Sequence, residues 1–363
     1  MPIYNAPLAD MKFILNDVFN ADQFWQSNEN LAHVDSATAE AILEEMAKFA
    51  QNVTLPLNRT GDEEGATFSN GAVTTPAGFK EAFKQYAEGG WIGLAADEEW
   101  GGQGMPKMLT VLADEMLFAT NPSFMLYPLL SVGAGMALNS YASQEQKETY
   151  LPKIYSGEWS GTMCLTEPHA GTDLGIIKTK AERNEDGTYN ITGTKIFITG
   201  GDHDLAENII HLVLAKTPDA PAGSRGISLF IVPKFLVNAD GSVGERNAAG
   251  PGSIEHKMGI KASATCVMNF DGAKGYLVGK ENEGSRSVTV TAEPVACHVG
   301  SRTSTAASGF SAIKPWPSVC PSIKRTGMSL VSYLGPSSIR SGSARINGLP
   351  SQRNQSASCT RGS

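Results

Sequence analysis

The chain has 363 residues, of which 41% are hydrophobic, and its 37 acidic and 29 basic side chains give a net charge of −8. This length and hydrophobic fraction predict two or three modules with their own cores, and the acidic balance gives a nucleic-acid role no electrostatic support. No apolar run approaches the roughly 20 residues of a membrane span, the first residues lack the features of an export signal, and the five cysteines have no metal-ligand spacing. We therefore expect a reduced, cytoplasmic protein without a metal site.

Helical signals dominate the chain up to residue 158. In DSATAEAILEEMAKFAQNV the apolar side chains recur at helical spacing, and Ser36 is a candidate N-cap. TPAGFKEAFKQYAEGG predicts a helix capped by Thr75, with the following proline at its first position and a glycine pair as its stop. Ser143 and Gln146 have the spacing of a capping box. These signals predict an all-α first domain.

Strand signals replace the helical ones from about residue 159. AERNEDGTYNITGTKIFITGG predicts two strands joined at Asp186–Gly187. NIIHLVLAKT, GISLFIVPKF and ATCVMNF are short β-branched or aromatic runs between turn residues. Several such runs within about 120 residues predict a small antiparallel β-barrel or sandwich. The fold class is therefore α+β, and no glycine fingerprint of a dinucleotide-binding βαβ unit follows a strand.

The composition changes abruptly at Gly284–Ser285. Residues 285–363 contain 9 basic residues but a single acidic residue, Glu293. This segment also contains 18 serines. They show no sustained amphipathic period, and such a composition buries too little apolar surface to offset chain entropy. We expect 284–363 to be a Ser/Arg-rich tail that is disordered or is a frame-shifted or mis-spliced reading. Translation of the locus in the other reading frames would test the latter.

The stretch CLTEPHAGTDLG, residues 164–175, lies between the helical and the strand segments. It is too polar for a core strand and too interrupted by glycine and proline for a helix. Backbone N–H groups in a glycine-containing turn supply hydrogen-bond donors without side-chain bulk. The stretch is therefore either an ordinary surface connection or a loop shaped around a polar ligand, and its residues alone leave both alternatives open.

Five segments in chain order resemble motifs of the acyl-CoA dehydrogenase family of flavoproteins. They are GWIGLAADEEWGGQG, YASQEQKETYLPKIYSGEW, MCLTEPHAGTDLG, TGTKIFITGG and HKMGIKASATCVMNFDG. This sequence departs from the family pattern at Thr172, where a serine is usual, at Phe197, where a tryptophan is usual, and at Lys261, where an arginine is usual. The opening MPIYNAPLADMKFILNDVF resembles the N-terminal extension of a bacterial subgroup whose members include a dehydrogenase of 3-methylthiopropanoyl-CoA.

The resemblance covers residues 1–284 and implies a division of the chain. It implies an N-terminal extension over 1–35, a helical domain over 36–158 and a β-barrel middle domain over 159–283. The family's C-terminal four-helix domain is not recognisable in the tail.

The resemblance also implies FAD as the cofactor and a set of site residues. Leu165 and Thr166 would contact the pyrimidine edge and the N5 region of the flavin, while Phe197 and Thr199 would lie against its ring. Thr172 would lie near the flavin pyrophosphate or the acyl-CoA, so it is also a candidate substrate-binding residue. A hydrogen-bond donor at N5 favours the reduced ring because that atom accepts the hydride.

The family's reaction is α,β-dehydrogenation of an acyl-CoA thioester to the 2-enoyl-CoA, as in fatty-acid β-oxidation. The resemblance implies 3-methylthiopropanoyl-CoA or a fatty acyl-CoA as substrate, an electron-transfer flavoprotein as acceptor, and a homo-oligomer. The family's base is a glutamate of the C-terminal helical domain. Glu293 lies outside any helical pattern, so we assign no catalytic residue and expect impaired activity in this chain.

Two alternatives to a dehydrogenase remain open. The first is a non-catalytic, truncated product that keeps a flavin or CoA surface, which reduction of bound flavin by acyl-CoA would exclude. The second is an acyl-CoA oxidase or nitroalkane oxidase on the same scaffold, which would produce peroxide without an electron-carrier protein.

Overall fold

The helical half of the molecule precedes residue 156. The computed structural model describes residues 3–284, so the predicted tail from residue 285 onward lies outside the described residues. Within them the α-helices are α1 Leu8–Phe13, α2 Ala21–Gln26, α3 Ser36–Phe49, α4 Leu55–Glu64, α5 Phe79–Glu88, α6 Lys107–Thr120, α7 Pro122–Tyr141 and α8 Gln144–Tyr155. A π-helical turn, Ala50–Thr54, joins α3 to α4. No helix of residues 3–284 has the length and apolar character needed to cross a bilayer.

An aromatic cluster centred on Phe124 of α7 holds the helices together. The ring centroids of Phe49, Phe79, Phe83 and Tyr86 lie between 5.8 and 6.5 Å from that of Phe124. Tilted and edge-on contacts at this distance add to the free energy of apolar burial. The cluster therefore fixes α3 and α5 against α7.

Of the N-caps predicted for α3 and α8, the structure confirms the one at α8 and corrects the one at α3. The capping box at α8 is confirmed, because Ser143 Oγ accepts the N–H of Gln146 and the Gln146 side chain accepts the N–H of Ser143. Ser36 as the N-cap of α3 is wrong. Asp35 is the N-cap, and its carboxylate accepts the Thr38 N–H at 2.7 Å. Aspartate and serine are equally good caps, so the sequence DS does not by itself determine which of the two residues caps the helix.

Thr75 as the N-cap of α5 is also wrong. The helix begins at Phe79, and the N–H and hydroxyl of Thr75 both donate to Asp204 Oδ1, at 3.0 and 2.7 Å. The N–H of Val73 similarly donates to Asp202 Oδ2 at 2.9 Å. These bonds connect the short hairpin before α5 to the β half. Thr75 therefore makes a contact with a residue distant in sequence and does not cap the helix.

The strands form one large sheet and two short hairpins. They are β1 Thr67–Ser69, β2 Ala72–Thr74, β3 Trp159–Cys164, β4 Lys180–Arg183, β5 Tyr189–Thr199, β6 Asn208–Ala215, β7 Ser228–Pro233, β8 Phe235–Val237, β9 Val243–Arg246, β10 Ala249–Ile254 and β11 Thr265–Val278. The large sheet has the order β3-β6-β7-β11-β5-β4, with β10 also paired to β11. The predicted hairpin at Asp186–Gly187 is confirmed as the connection between β4 and β5.

The α+β fold class is confirmed, with one difference in strand direction. Within the described residues, β3 and β6 are parallel, while the other neighbours in the large sheet are antiparallel. Parallel neighbours require a long crossover, and here β4 and β5 lie between them in the chain. Periodicity alone does not distinguish the two directions, because both alternate side chains in the same way.

The sheet closes on itself. β11 is 14 residues long, and its final residues Tyr276–Val278 pair with β7 while the rest of it pairs with β5 and β10. A bridge between Lys180 and Lys216 joins β4 to the end of β6. The enclosed core is apolar and includes Ile191, Val213, Phe230 and Phe270. The helices and this closed sheet belong to one compact unit.

Candidate functional site

The loop after β3 carries unpaired hydrogen-bond donors. β3 is an edge strand, and Cys164 is its last residue paired to β6. The Leu165 carbonyl accepts from Lys195 Nζ at 2.9 Å, and the Thr166 carbonyl accepts the Ile196 N–H at 2.8 Å. The backbone N–H groups of Leu165 and Thr166 donate to no other described residue. The loop is thus joined to β5 through its carbonyls while its N–H groups remain available.

A buried carboxylate fixes this loop. Glu167 is 3% exposed and accepts hydrogen bonds from the N–H of Lys178 (2.7 Å), the N–H and hydroxyl of Thr179 (3.0 and 2.6 Å) and the ammonium of Lys195 (2.9 Å). Lys195 itself is fully buried. A buried ion pair is tolerated when its remaining hydrogen-bonding capacity is satisfied, as it is for this carboxylate.

Electrostatics keep the Glu167 side chain ionised. Burial raises the pKa of its carboxyl, but the Lys195 ammonium and the hydrogen bonds from Thr179 and Lys178 outweigh burial and hold the pKa below its ordinary value. Burial lowers the pKa of Lys195, and the charge of Glu167 only partly offsets that effect. The carboxylate is therefore the form that anchors the loop near neutral pH.

Sequence reasoning did not single out Glu167 or Lys195. Both lie within the recognised segments MCLTEPHAGTDLG and TGTKIFITGG, about 28 residues apart. The available signal was Lys195 itself, since its alternation with Ile191 and Tyr189 places it on the inward face of β5. A charge at an inward position requires a partner, and the partner is the carboxylate of the other segment.

Phe197 is turned outward by a bulge in β5. The register with β11 shifts between the pairs Cys266–Ile198 and Met268–Lys195, which leaves Phe197 with a φ of 60° and 59% exposed. Ile198, in contrast, is buried. Regular alternation from Lys195 would bring Phe197 inward, and a bulge reverses that parity. An aromatic residue in the left-handed region costs roughly 1–2 kcal/mol, so the outward ring is maintained against local strain.

Thr172 precedes Phe197 in the chain and lies on the loop after β3, whereas Thr199 follows Phe197 in β5. Thr199 is half-buried at the end of β5, opposite Thr265 of β11. Thr172 is exposed, and its neighbour Gly171 lies close to Thr166, since a Cβ on Gly171 would be 3.8 Å from the Thr166 methyl group. The side-chain hydroxyls of Thr166, Thr172 and Thr199 form no hydrogen bond with another described residue.

A helix supports the segment that leads into β11. The Tyr127 hydroxyl, on α7, donates to the Ala262 carbonyl at 2.9 Å and accepts the Ala264 N–H at 2.8 Å. The Gly200 N–H then donates to the Ala264 carbonyl at 2.8 Å, directly after Thr199. Lys261 is exposed, and its own N–H donates to Asp62 Oδ1 at 2.8 Å.

These residues fit a flat heteroaromatic ring with polar edges. Leu165 and Thr166 offer backbone donors, Thr166 and Thr199 offer hydroxyls, and Phe197 offers an aromatic face. The bonds from Lys195 and Ile196 to the loop bring the loop and β5 together. Such a combination of a face contact and edge donors is what a flavin ring needs. The structure brings Leu165 and Thr166 next to the strand segment that carries Phe197, while Thr199 follows at the end of β5 and Thr172 follows on the exposed continuation of the loop.

Comparison with known proteins gives the chain two family matches. The N-terminal domain of acyl-CoA dehydrogenases matches residues 36–158, and the middle domain matches residues 162–273. The chain is 47% identical over 283 residues to 3-methylmercaptopropionyl-CoA dehydrogenase of Ruegeria pomeroyi, covering 78% of this chain and 48% of that protein. It is 37% identical over 312 residues to the broad-specificity linear acyl-CoA dehydrogenase FadE5 of Mycobacterium tuberculosis, covering 83% and 50%.

Solved structures give the same result. Butyryl-CoA dehydrogenase from Megasphaera elsdenii superposes with a TM-score of 0.58 at 26% identity, covering 70% of this chain and 62% of that one. An acyl-CoA dehydrogenase complexed with FAD from Bacillus anthracis superposes with a TM-score of 0.60 at 25% identity, covering 74% and 42%. The chain spans about half the length of the two sequence relatives.

Proposed function

The chain belongs to the acyl-CoA dehydrogenase family of FAD-dependent flavoproteins, and on that premise we propose that it binds FAD at the loop after β3 and takes part in α,β-dehydrogenation of an acyl-CoA thioester. The observation that carries the proposal is the junction of this loop with β5. There the N–H groups of Leu165 and Thr166, which donate to no other residue among 3–284, adjoin a strand that turns Phe197 outward.

Each residue of the junction has a distinct role in the proposal. FAD supplies the acceptor for the hydride that leaves the β-carbon of the acyl group. The N–H groups of Leu165 and Thr166 would donate to the pyrimidine edge and the N5 region, and Phe197 and Thr199 would lie against the ring. Thr172 faces the flavin pyrophosphate or the acyl-CoA. Donors fixed before the reaction stabilise developing negative charge without reorganisation at that moment.

The proposed substrate is 3-methylthiopropanoyl-CoA or a fatty acyl-CoA. The 47% identity to the Ruegeria pomeroyi enzyme favours the former, and the 37% identity to FadE5 favours a linear acyl chain. We include an electron-transfer flavoprotein as electron acceptor and a homo-oligomeric assembly in the proposal. One solved structure similar to this chain, with a TM-score of 0.59 and 27% identity, is described as an electron transferring flavoprotein of Acidaminococcus fermentans.

A second candidate is a flavin- or CoA-binding element without catalysis. No residue among 3–284 is assigned as the base that removes the α-proton. Activity and flavin binding must therefore be measured separately.

Flavin binding is tested by titrating FAD into the purified chain and following the quenching of flavin fluorescence. We expect saturable binding that Phe197→Ala weakens about tenfold, because the ring loses its aromatic partner. Phe13→Ala is the matched control, because Phe13 of α1 is 57% exposed and the substitution removes the same aromatic group at a different place on the surface. Absence of saturation in the parent chain, or equal loss in both variants, would contradict the proposed site.

Catalysis is tested by anaerobic addition of acyl-CoAs to the flavin-loaded chain. Bleaching of the visible flavin absorbance by butyryl-CoA or 3-methylthiopropanoyl-CoA would establish dehydrogenation. A fusion of residues 1–284 with the C-terminal half of a relative serves as the second arm. Bleaching in the fusion alone identifies the chain as the second candidate, and peroxide formation in air identifies an oxidase.

A further inference from the structure

A positively charged cleft lies beside the seam that closes the sheet. The cleft has a volume of about 570 Å³, and the lysines Lys178, Lys180 and Lys216 line it together with one carboxylate, Glu182. The chain as a whole has a net charge of −8. A local excess of lysines on an acidic protein is a feature that attracts anions.

Two of these lysines are directly opposite each other. Lys180 and Lys216 form the bridge between β4 and the end of β6, in which the Lys216 N–H donates to the Thr179 carbonyl at 3.0 Å. Like charges at directly opposite positions of neighbouring strands are destabilising. The ammonium groups of Lys178 and Lys180 form no ion pair with a described residue, and that of Lys216 donates to the Gly175 carbonyl at 2.6 Å. The one carboxylate that lines the cleft, Glu182, therefore offsets only part of the charge of the three lysines.

A buried hydroxyl gives independent evidence for a ligand. Thr217 lines the same cleft and is 4% exposed, yet its Oγ1 has no hydrogen-bond partner among the described residues. A buried hydroxyl without a partner costs free energy. A ligand with acceptor oxygens would recover that cost and neutralise the lysines at the same time.

We propose that this cleft binds a phosphate group of a nucleotide-type ligand. Phosphate oxygens accept from several ammonium groups and from a hydroxyl, and such charge-assisted hydrogen bonds are the stronger kind. The cleft shares a wall with the candidate flavin loop, because Lys178 and Thr179 donate their N–H groups to Glu167. This inference rests on the proposed function for the identity of the nucleotide: its source is the phosphates of CoA or the pyrophosphate of FAD.

The test is isothermal titration calorimetry of the whole chain with four probes: inorganic pyrophosphate, CoA, dephospho-CoA and FAD. The variants are Lys180→Gln, which removes one charge, and Thr217→Val, which removes the hydroxyl at nearly constant shape. Lys48→Gln is the matched control, because Lys48 is an exposed lysine of α3. We expect each cleft variant to weaken binding of a phosphate-bearing probe about tenfold, while the control binds as the parent does.

The probes separate the possible sources. A loss confined to CoA, with dephospho-CoA unaffected, assigns the cleft to the 3′-phosphate of CoA, and a loss for FAD assigns it to the flavin pyrophosphate. A loss for pyrophosphate alone would show that the cleft binds a free anion and would overturn the assignment to a nucleotide. Equal affinities of the parent and both cleft variants for all four probes overturn the inference. Flavin fluorescence in the same samples reports the proposed function separately, since FAD binding can fail while pyrophosphate binding persists, and the reverse.

Discussion

Glu167 and Lys195 connect the loop after β3 with β5 through a buried ion pair of 2.9 Å. Removing one member of such a pair leaves the other charge buried without compensation. We expect Glu167→Gln to lower the free energy of unfolding by about 3 kcal/mol and to weaken FAD binding, since the Leu165 carbonyl shares the same lysine. Urea denaturation and flavin titration measure the two effects.

The exposed pair of Lys12 and Glu44, also 2.9 Å long, provides the control for that experiment. Exposed ion pairs contribute little because water screens them, so Glu44→Gln should leave the urea midpoint nearly unchanged. A similar midpoint for both variants would show that burial of the Glu167–Lys195 pair does not matter to stability. The double variant Glu167→Gln with Lys195→Met should recover part of the loss, because it removes the stranded charge.

The lowered pKa of Glu167 predicts the direction of the pH dependence. The folded state holds the carboxyl below its ordinary value of 4.5, so the unfolded state takes up the proton first as the pH falls. The contribution of Glu167 is therefore complete above pH 4.5 and decreases as the pH falls through the folded value. Urea midpoints measured between about pH 6 and pH 3 should fall more steeply for the parent chain than for Glu167→Gln. Parallel curves would rule out this linkage.

Phe197 predicts a conflict between stability and binding. Its φ of 60° is unfavourable for an aromatic residue and favourable for glycine. We expect Phe197→Gly to leave the unfolding free energy unchanged or raised, while FAD binding decreases. Thr192→Gly, at an exposed position of the same strand without positive φ, should cost about 1 kcal/mol. Equal destabilisation by the two glycines would argue against strain at Phe197.

At the scale of elements, the two serine caps predicted from sequence provide a matched comparison. Ser143 caps α8 through its hydroxyl, whereas Ser36 follows the true cap of α3 and its hydroxyl donates to Asn16 Oδ1 at 3.3 Å. We expect Ser143→Ala to cost about 1 kcal/mol and Ser36→Ala to have a much smaller effect. Thermal denaturation of both variants measures the difference. A larger effect at Ser36 would restore the assignment made from sequence.

The elements also show where sequence reasoning stops. The α8 capping box and the turn at Asp186–Gly187 depend on neighbouring residues, and both could be predicted. The start of α5 could not, because the polar groups of Thr75 are taken by Asp204, 129 positions later in the chain. The bulge at Phe197 is likewise set by pairing with β11. Local patterns predict local hydrogen bonds, whereas contacts between distant segments require the fold.

At the scale of the whole molecule, the order of helical and strand segments was sufficient to predict the α+β fold, and the five segments were sufficient to identify the family. The boundaries at 35, 158 and 283 remain a proposal. The candidate site was predicted through residues with exposed or half-buried side chains such as Thr166 and Phe197. The buried pair Glu167–Lys195 was not predicted, because the sequence does not show which carboxylate of another segment pairs with the inward-facing lysine.

Ligand binding should stabilise the whole described fold. A ligand that binds only the folded state adds about 2.7 kcal/mol when present at 100 times its dissociation constant. We expect FAD at that concentration to raise the melting temperature by several degrees, and the increase should be reduced in Phe197→Ala. Differential scanning calorimetry measures both. A melting temperature independent of FAD would contradict binding to the native chain.

The pairing of β11 has a consequence for synthesis of the chain. This strand is the partner of β5, β7 and β10, yet its residues leave the ribosome after all three of them. Until Thr265–Val278 is available, β5 and β7 each present an unsatisfied edge, and such edges are sites of intermolecular association. A nascent chain halted before residue 265 should therefore need a chaperone to remain dispersed, and one extended past residue 278 should not.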